Sequence, residues 1–111
     1  MVLPYRQLRL HAVADDTVYV GSEGDHLTAL DAMTGTKRWG FSAADTLWAD
    51  PTVTDGVLYT AEKTGTLSAL DAATGSRLWS VKTHSTVKYP PVVANGALCL
   101  ATGAKLHALP L

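Results

Sequence analysis

Charge and cysteine are both scarce in this chain. Only 17% of its 111 residues are Asp, Glu, Lys or Arg, and the formal net charge is −1. An electrostatic grip on nucleic acid or on an anionic membrane needs a concentrated basic surface, so both partners are excluded on charge. No block of like charges occurs, and with it goes any charged tail. Cys99 is the one cysteine, so no disulfide closes within the chain. Its setting in Ala97-Leu98-Cys99-Leu100-Ala101 reads as a buried structural thiol. No apolar run reaches membrane-spanning length, which excludes insertion by a helix. The segment Met-Val-Leu-Pro-Tyr-Arg-Gln-Leu-Arg-Leu is too polar and too interrupted for a signal peptide. Helical periodicity is missing throughout, and nine glycines and five prolines punctuate the sequence. With 47% hydrophobic residues the composition is that of a folded domain.

What is present is a repeat. Ala29-Leu30-Asp31-Ala32-Met33-Thr34-Gly35-Thr36-Lys37-Arg38-Trp39 returns forty residues later as Ala69-Leu70-Asp71-Ala72-Ala73-Thr74-Gly75-Ser76-Arg77-Leu78-Trp79. Seven of the eleven positions are identical. The same offset aligns Val13-Ala14-Asp15-Asp16 with Val53-Thr54-Asp55-Gly56 and Val93-Ala94-Asn95-Gly96. Leu106-His107-Ala108-Leu109 echoes Leu67-Ser68-Ala69-Leu70 at an offset of 39.

One repeat reads as four short strands, in the middle copy Thr52–Thr54, Val57–Glu62, Thr66–Asp71 and Arg77–Thr83. These runs are rich in Val, Leu, Tyr and Thr with turn residues between them. Asp55-Gly56 and Asn95-Gly96 are tight-hairpin signals, because Gly and Asn tolerate positive φ. Asp71 to Gly75 is a longer turn, its Asp suited to accept backbone N–H bonds. Leu58-Tyr59 and Leu98-Cys99-Leu100 are apolar on both strand faces, as in a sheet packed between neighbours. A four-stranded unit of about 40 residues covered on both sides is a propeller blade. The expected fold is all-β: a partial β-propeller of about two and three-quarter antiparallel blades. The blades are placed at 11–42, 50–83 and, incomplete, 90–109.

The pattern Ala-x-Asp-x-x-Thr-Gly-x-x-x-Trp resembles the tryptophan-docking motif of the pyrroloquinoline-quinone (PQQ)-type propellers. It falls on Ala29, Asp31, Thr34, Gly35 and Trp39, and again on Ala69, Asp71, Thr74, Gly75 and Trp79. The resemblance implies that each Trp lies between adjacent blades, stacked near small motif residues of its neighbour. An indole can bury about 150–250 Å², so Trp39 and Trp79 are read as structural wedges and Asp31 and Asp71 as turn-formers. The family includes dehydrogenases that hold PQQ and calcium on the propeller axis. It also includes cofactor-free members: scaffold lipoproteins of outer-membrane protein assembly, and sensor propellers on bacterial serine/threonine kinases. The dehydrogenases' vicinal cysteine pair is absent here, and their catalytic Asp and calcium-binding residues map to no position. The expectation is therefore no catalytic residue, no metal site and no cofactor.

The remaining candidates are weak in chemistry. His11, His26, His84 and His107 lack metal-ligand spacing. Asp15-Asp16 and Asp25 belong to no calcium loop. No phosphate loop, nucleophile elbow or Ser-x-x-Lys occurs. The connectors between blades, Ala43 to Trp48 and Lys82 to Tyr89, lie on one rim, where propellers place contacts. Trp48, Lys88 and Tyr89 are the candidate rim contacts, since aromatic side chains dominate interface energetics. The functional expectation is a binding or protein-interaction scaffold. The alternatives are a piece of a quinoprotein dehydrogenase or the sensor propeller of a kinase. Since propellers have four to eight blades, the rest is expected from a longer chain or from self-association. The ending without a fourth strand resembles the last blade of a ring. The resemblance implies a periplasmic or cell-surface location; the protein or small-molecule ligand is not named by any residue.

Overall fold

The computed structural model describes residues 9–22, 25–47, 50–83, 86–87, 89–101 and 105–111. Every regular element among them is a strand. β1 (Arg9–Ala14), β2 (Thr17–Ser22), β3 (His26–Asp31) and β4 (Lys37–Ser42) form one antiparallel meander. β5 (Thr52–Thr54), β6 (Val57–Ala61), β7 (Thr66–Asp71) and β8 (Arg77–Lys82) form a second. β9 (Val92–Ala94), β10 (Ala97–Ala101) and β11 (Leu106–Pro110) form a third, in which β11 is the last strand among the described residues. The first strands converge: β1 lies beside β5 and β5 beside β9. Three sheets that meet along their first strands are blades around a common axis, and the fold is a partial β-propeller.

Local sequence explains the strand breaks. Asp55 and Gly56 have φ of 49° and 77°, and Asn95 and Gly96 have 50° and 73°. Both pairs are primed two-residue turns, whose twist matches that of the flanking strands. Asp15 and Asp16 make the same turn in the first sheet without a glycine, at φ 49° and 58°.

The sheets pack through two equivalent apolar layers. In the first, Tyr19, Leu27, Ala29 and Trp39 of the first sheet meet Leu58 and Leu70 of the second. In the other, Tyr59, Ala61, Leu67 and Ala69 of the second meet Leu98 and Leu100 of the third. The middle sheet is thus buried on both faces, and its two inner strands are buried along nearly their whole length, without the alternation of a half-exposed sheet. Register settles the offset of the third copy. Val57 pairs with Asp71 and Ala97 with Pro110, so the loop between β10 and β11 is one residue shorter than its counterpart between β6 and β7.

Cys99 departs from the expectation of a buried thiol. It is only half-buried, because it sits on the face of β10 that points away from the second sheet.

Candidate functional site

The first seam is built from the second motif turn. Gly75 N–H donates to the Asp71 carbonyl at 2.7 Å, and Asp71 N–H to that of Ser76 at 2.8 Å. The Asp71 carboxylate accepts from Ala73 N–H at 2.8 Å. The first copy repeats this frame: Asp31 Oδ1 accepts from Met33 N–H at 2.8 Å and Thr34 N–H at 3.1 Å. These bonds leave Ala72 with a free-standing carbonyl and Gly75 at φ 79°, a conformation that glycine adopts at no steric cost.

Trp39 of β4 closes on both features. Its Nε1–H donates to the Ala72 carbonyl at 2.8 Å. A Cβ built on Gly75 would stand 2.6 Å from Trp39 Cε3 and 2.7 Å from Cδ2, so the indole occupies the space a side chain would need. Tyr19 leans on the ring at 5.9 Å between centroids and 48° between planes, a tilted aromatic contact. Its hydroxyl is directed at the same Ala72 carbonyl, at a long 3.5 Å. Burial raises the Tyr19 phenol above its ordinary pKa, so it stays a neutral donor. Trp39 is 7% exposed.

Trp79 has half of this environment. Tyr59 leans on it at 6.0 Å and 49°, but the indole is half-buried, and no hydrogen bond from it is found to the described residues. The position matching Ala72 in the third sheet is Leu111, whose N–H donates to Gly96 as Ala72 N–H does to Gly56. The structure therefore brings together Trp39, Ala29, Asp71, Ala72, Thr74 and Gly75, while Trp79 meets no motif turn among the described residues.

Asp31 has an ion pair with no counterpart at Asp71 among the described residues. Arg38 Nη2 donates to Asp31 Oδ2 at 2.7 Å, and Nη1 to Thr17 Oγ1 at 2.9 Å. In the second copy Leu78 replaces the arginine. The Arg38 bond, then the Met33 and Thr34 N–H bonds, lower the Asp31 pKa to about 2 from an ordinary 3.8. A lowered carboxylate stabilises the fold above its unfolded pKa and loses that effect as pH falls toward its folded one. The stability advantage of the parent over Asp31→Asn should therefore be full above about pH 4 and fade between pH 4 and 2; acid titration of urea midpoints for both proteins checks it. Between the turns lies a cleft of about 220 Å³, lined by Asp15, Thr17, Tyr19, Arg38, Asp71 and Ala72.

The opposite rim carries the connectors. Asp45 N–H donates to Glu62 Oε1 at 2.8 Å, and Lys63 N–H to the Thr46 carbonyl at 2.7 Å. Lys63 in turn accepts from Val87 N–H at 3.1 Å, so the turn of the second sheet ties both connectors. Glu62 is buried, a residue that the strand pattern alone did not single out. Its one signal is a carboxylate at the end of the apolar run Leu58 to Ala61. Glu62→Ala would leave the partly buried Asp45 N–H without its acceptor, at a cost of about 1 kcal/mol by urea denaturation. Of the rim candidates, Tyr89 is 63% exposed, while Trp48 and Lys88 lie outside the described residues, as does His84. Among the described residues no three His, Cys, Asp or Glu side chains are grouped to hold a metal ion. Asp31 and Asp71 already accept turn N–H groups, so these two carboxylates do not fit the ligands of a quinone–calcium centre.

Three sheets with an indole-sealed seam define a segment of a PQQ-type β-propeller. The family model described as outer membrane protein assembly factor BamB matches residues 6–110, and the chain belongs to that family. BamB from Moraxella catarrhalis superposes with a TM-score of 0.80 at 21% identity, over 94% of this chain and 31% of that one. A europium-containing methanol dehydrogenase gives 0.75 at 20% identity, over 94% and 25%. The quinohemoprotein alcohol dehydrogenase of Comamonas testosteroni gives 0.74 at 25% identity, over 89% and 18%. The chain thus spans less than a third of the length of each of these three. Curated proteins give no match.

Proposed function

We propose that this segment serves a non-catalytic propeller as a protein-binding scaffold, with the connector rim as its contact surface. The observation that carries the reading is Tyr89. A large aromatic side chain stands 63% exposed on the connector before β9, on a rim whose backbone is tied down by the Lys63 bonds. Rigidly mounted tyrosines are effective interface anchors, because little side-chain entropy is lost on contact. The family's description as an assembly factor supports the same reading, and it favours an extracytoplasmic setting. The complete ring would come from a longer chain.

The second reading, a piece of a quinoprotein dehydrogenase, is supported by the alcohol dehydrogenase likeness at 25% identity. Two measurements on the full-length protein separate them. A photo-crosslinker in place of Tyr89 should give a discrete adduct with a protein partner. The purified protein, offered PQQ and calcium, should show neither quinone absorbance nor dye-linked alcohol oxidation. Quinone absorbance with activity, and no adduct, would overturn the scaffold reading.

A further inference from the structure

The cleft in the first seam is polar at positions where the next copy of the repeat is apolar. Thr17 and Arg38 line it from the first sheet; forty residues later the same positions hold Val57 and Leu78. Asp71 holds its turn without an arginine, so the motif turn does not require either polar residue.

Tyr19 is 2% exposed and Thr17 4%, yet both hydroxyls are poorly used as donors. Tyr19 Oη stands 3.5 Å from the Ala72 carbonyl and Thr17 Oγ1 3.4 Å from the Asp15 carbonyl, beyond the roughly 2.5–3.0 Å of an ordinary O–H···O bond. Buried polar groups normally have a close partner, so two long contacts at the wall of one cleft leave room for a ligand between them. Burial above all raises the Tyr19 phenol, and the Asp15 charge adds to it, which puts that carboxylate near the Tyr19 hydroxyl.

Charge decides the sign of the occupant. Arg38 is paired with Asp31 at 2.7 Å, and its other terminal nitrogen donates to Thr17. Asp15 and Asp71, the carboxylates of the lining, have no ion pair among the described residues. The cleft therefore carries unbalanced negative charge beside hydroxyl and carbonyl oxygens. Its volume of about 220 Å³ is many times the roughly 10–15 Å³ that one water needs. Among the described residues no three acidic, His or Cys side chains are grouped for a metal ion. An organic cation fits this space better than a bare one.

We propose that the cleft binds a small primary ammonium ion, its N–H groups taken by the Asp15 carboxylate, the Tyr19 hydroxyl oxygen and the Ala72 carbonyl. An ammonium offers three donors and no acceptor, which matches a wall of oxygen atoms. The cleft lies at the motif turns, on the rim opposite the connectors, so the inference stands or falls apart from the scaffold reading.

The test titrates the 111-residue chain with n-butylammonium chloride at constant ionic strength, followed by amide NMR. Saturable shifts should appear at Asp15, Thr17, Ala72 and Ala73. Tetramethylammonium, which has the charge but no donor, should leave them nearly unmoved. Asp15→Asn should keep the fold, since Asn tolerates the φ of 49° at this position, and should weaken binding about tenfold or more. Nα-acetyl-lysine amide separates the sources of the ammonium: tighter binding than butylammonium assigns it to a protein side chain, equal or weaker binding to a free amine. Shifts that do not saturate, equal shifts with tetramethylammonium, binding undiminished in Asp15→Asn, or binding of glycine without binding of butylammonium would each overturn the proposal.

Discussion

Trp39→Ala should destabilise the chain by roughly 3–5 kcal/mol, the range for deleting a well-packed aromatic side chain. The indole fills the first seam against Tyr19, Leu58 and Leu70, and its removal also leaves the Ala72 carbonyl without the 2.8 Å donor. The neighbouring sheet cannot collapse onto the gap without moving the turn that Asp71 holds. Trp79→Ala should cost clearly less, because its ring is half-buried and makes no comparable bond among the described residues. Urea denaturation of both variants, followed by far-ultraviolet circular dichroism, ranks them. Equal losses would contradict the asymmetry between the two indoles.

Gly75→Ala is the second large effect. A Cβ there would stand 2.6 Å from Trp39 Cε3, closer than atoms tolerate, and the backbone φ of 79° is strained for any L side chain. The two penalties have separate sources: about 1–3 kcal/mol for the backbone and about 1–3 kcal/mol for overpacking. Gly56→Ala isolates the first. Gly56 has nearly the same φ, 77°, with nothing within 4 Å of the added methyl. The difference between the two variants therefore measures the crowding at the indole alone.

The fold was legible to an unusual depth in this sequence because its signals agree at every level. The expected strands Thr52–Thr54 and Thr66–Asp71 match β5 and β7, and those expected at Val57–Glu62 and Arg77–Thr83 overrun β6 and β8 by one residue. Asp-Gly and Asn-Gly turns fixed the hairpins, and apolar runs on both faces marked a sheet packed on two sides. Three things were not legible. Glu62 looked like a strand end, since only the folded chain brings Asp45 N–H to it. Cys99 looked buried, since its neighbours Leu98 and Leu100 are; the strand's alternation puts the thiol on the other, open face. The difference between Trp39 and Trp79 was hidden because both copies of the motif are intact locally. What separates them is the turn of another sheet, which local sequence does not encode.

Function is less legible than fold because the motif residues are absorbed by the architecture. Asp31 and Asp71 carry carboxylates at a conspicuous spacing, yet their oxygens hold turn N–H groups and, for Asp31, Arg38. A propeller supports many activities on one scaffold, and what distinguishes them lies in rim and edge residues outside the repeat. Tyr89 is a residue where this chain offers such surface.

A double-mutant cycle between Trp39→Ala and Gly75→Ala tests the seam most directly. If the indole rests on the glycine, adding Gly75→Ala to the Trp39→Ala background should cost only what Gly56→Ala costs in the parent, a coupling of about 1–3 kcal/mol. Losses that simply add would show that the two residues do not meet.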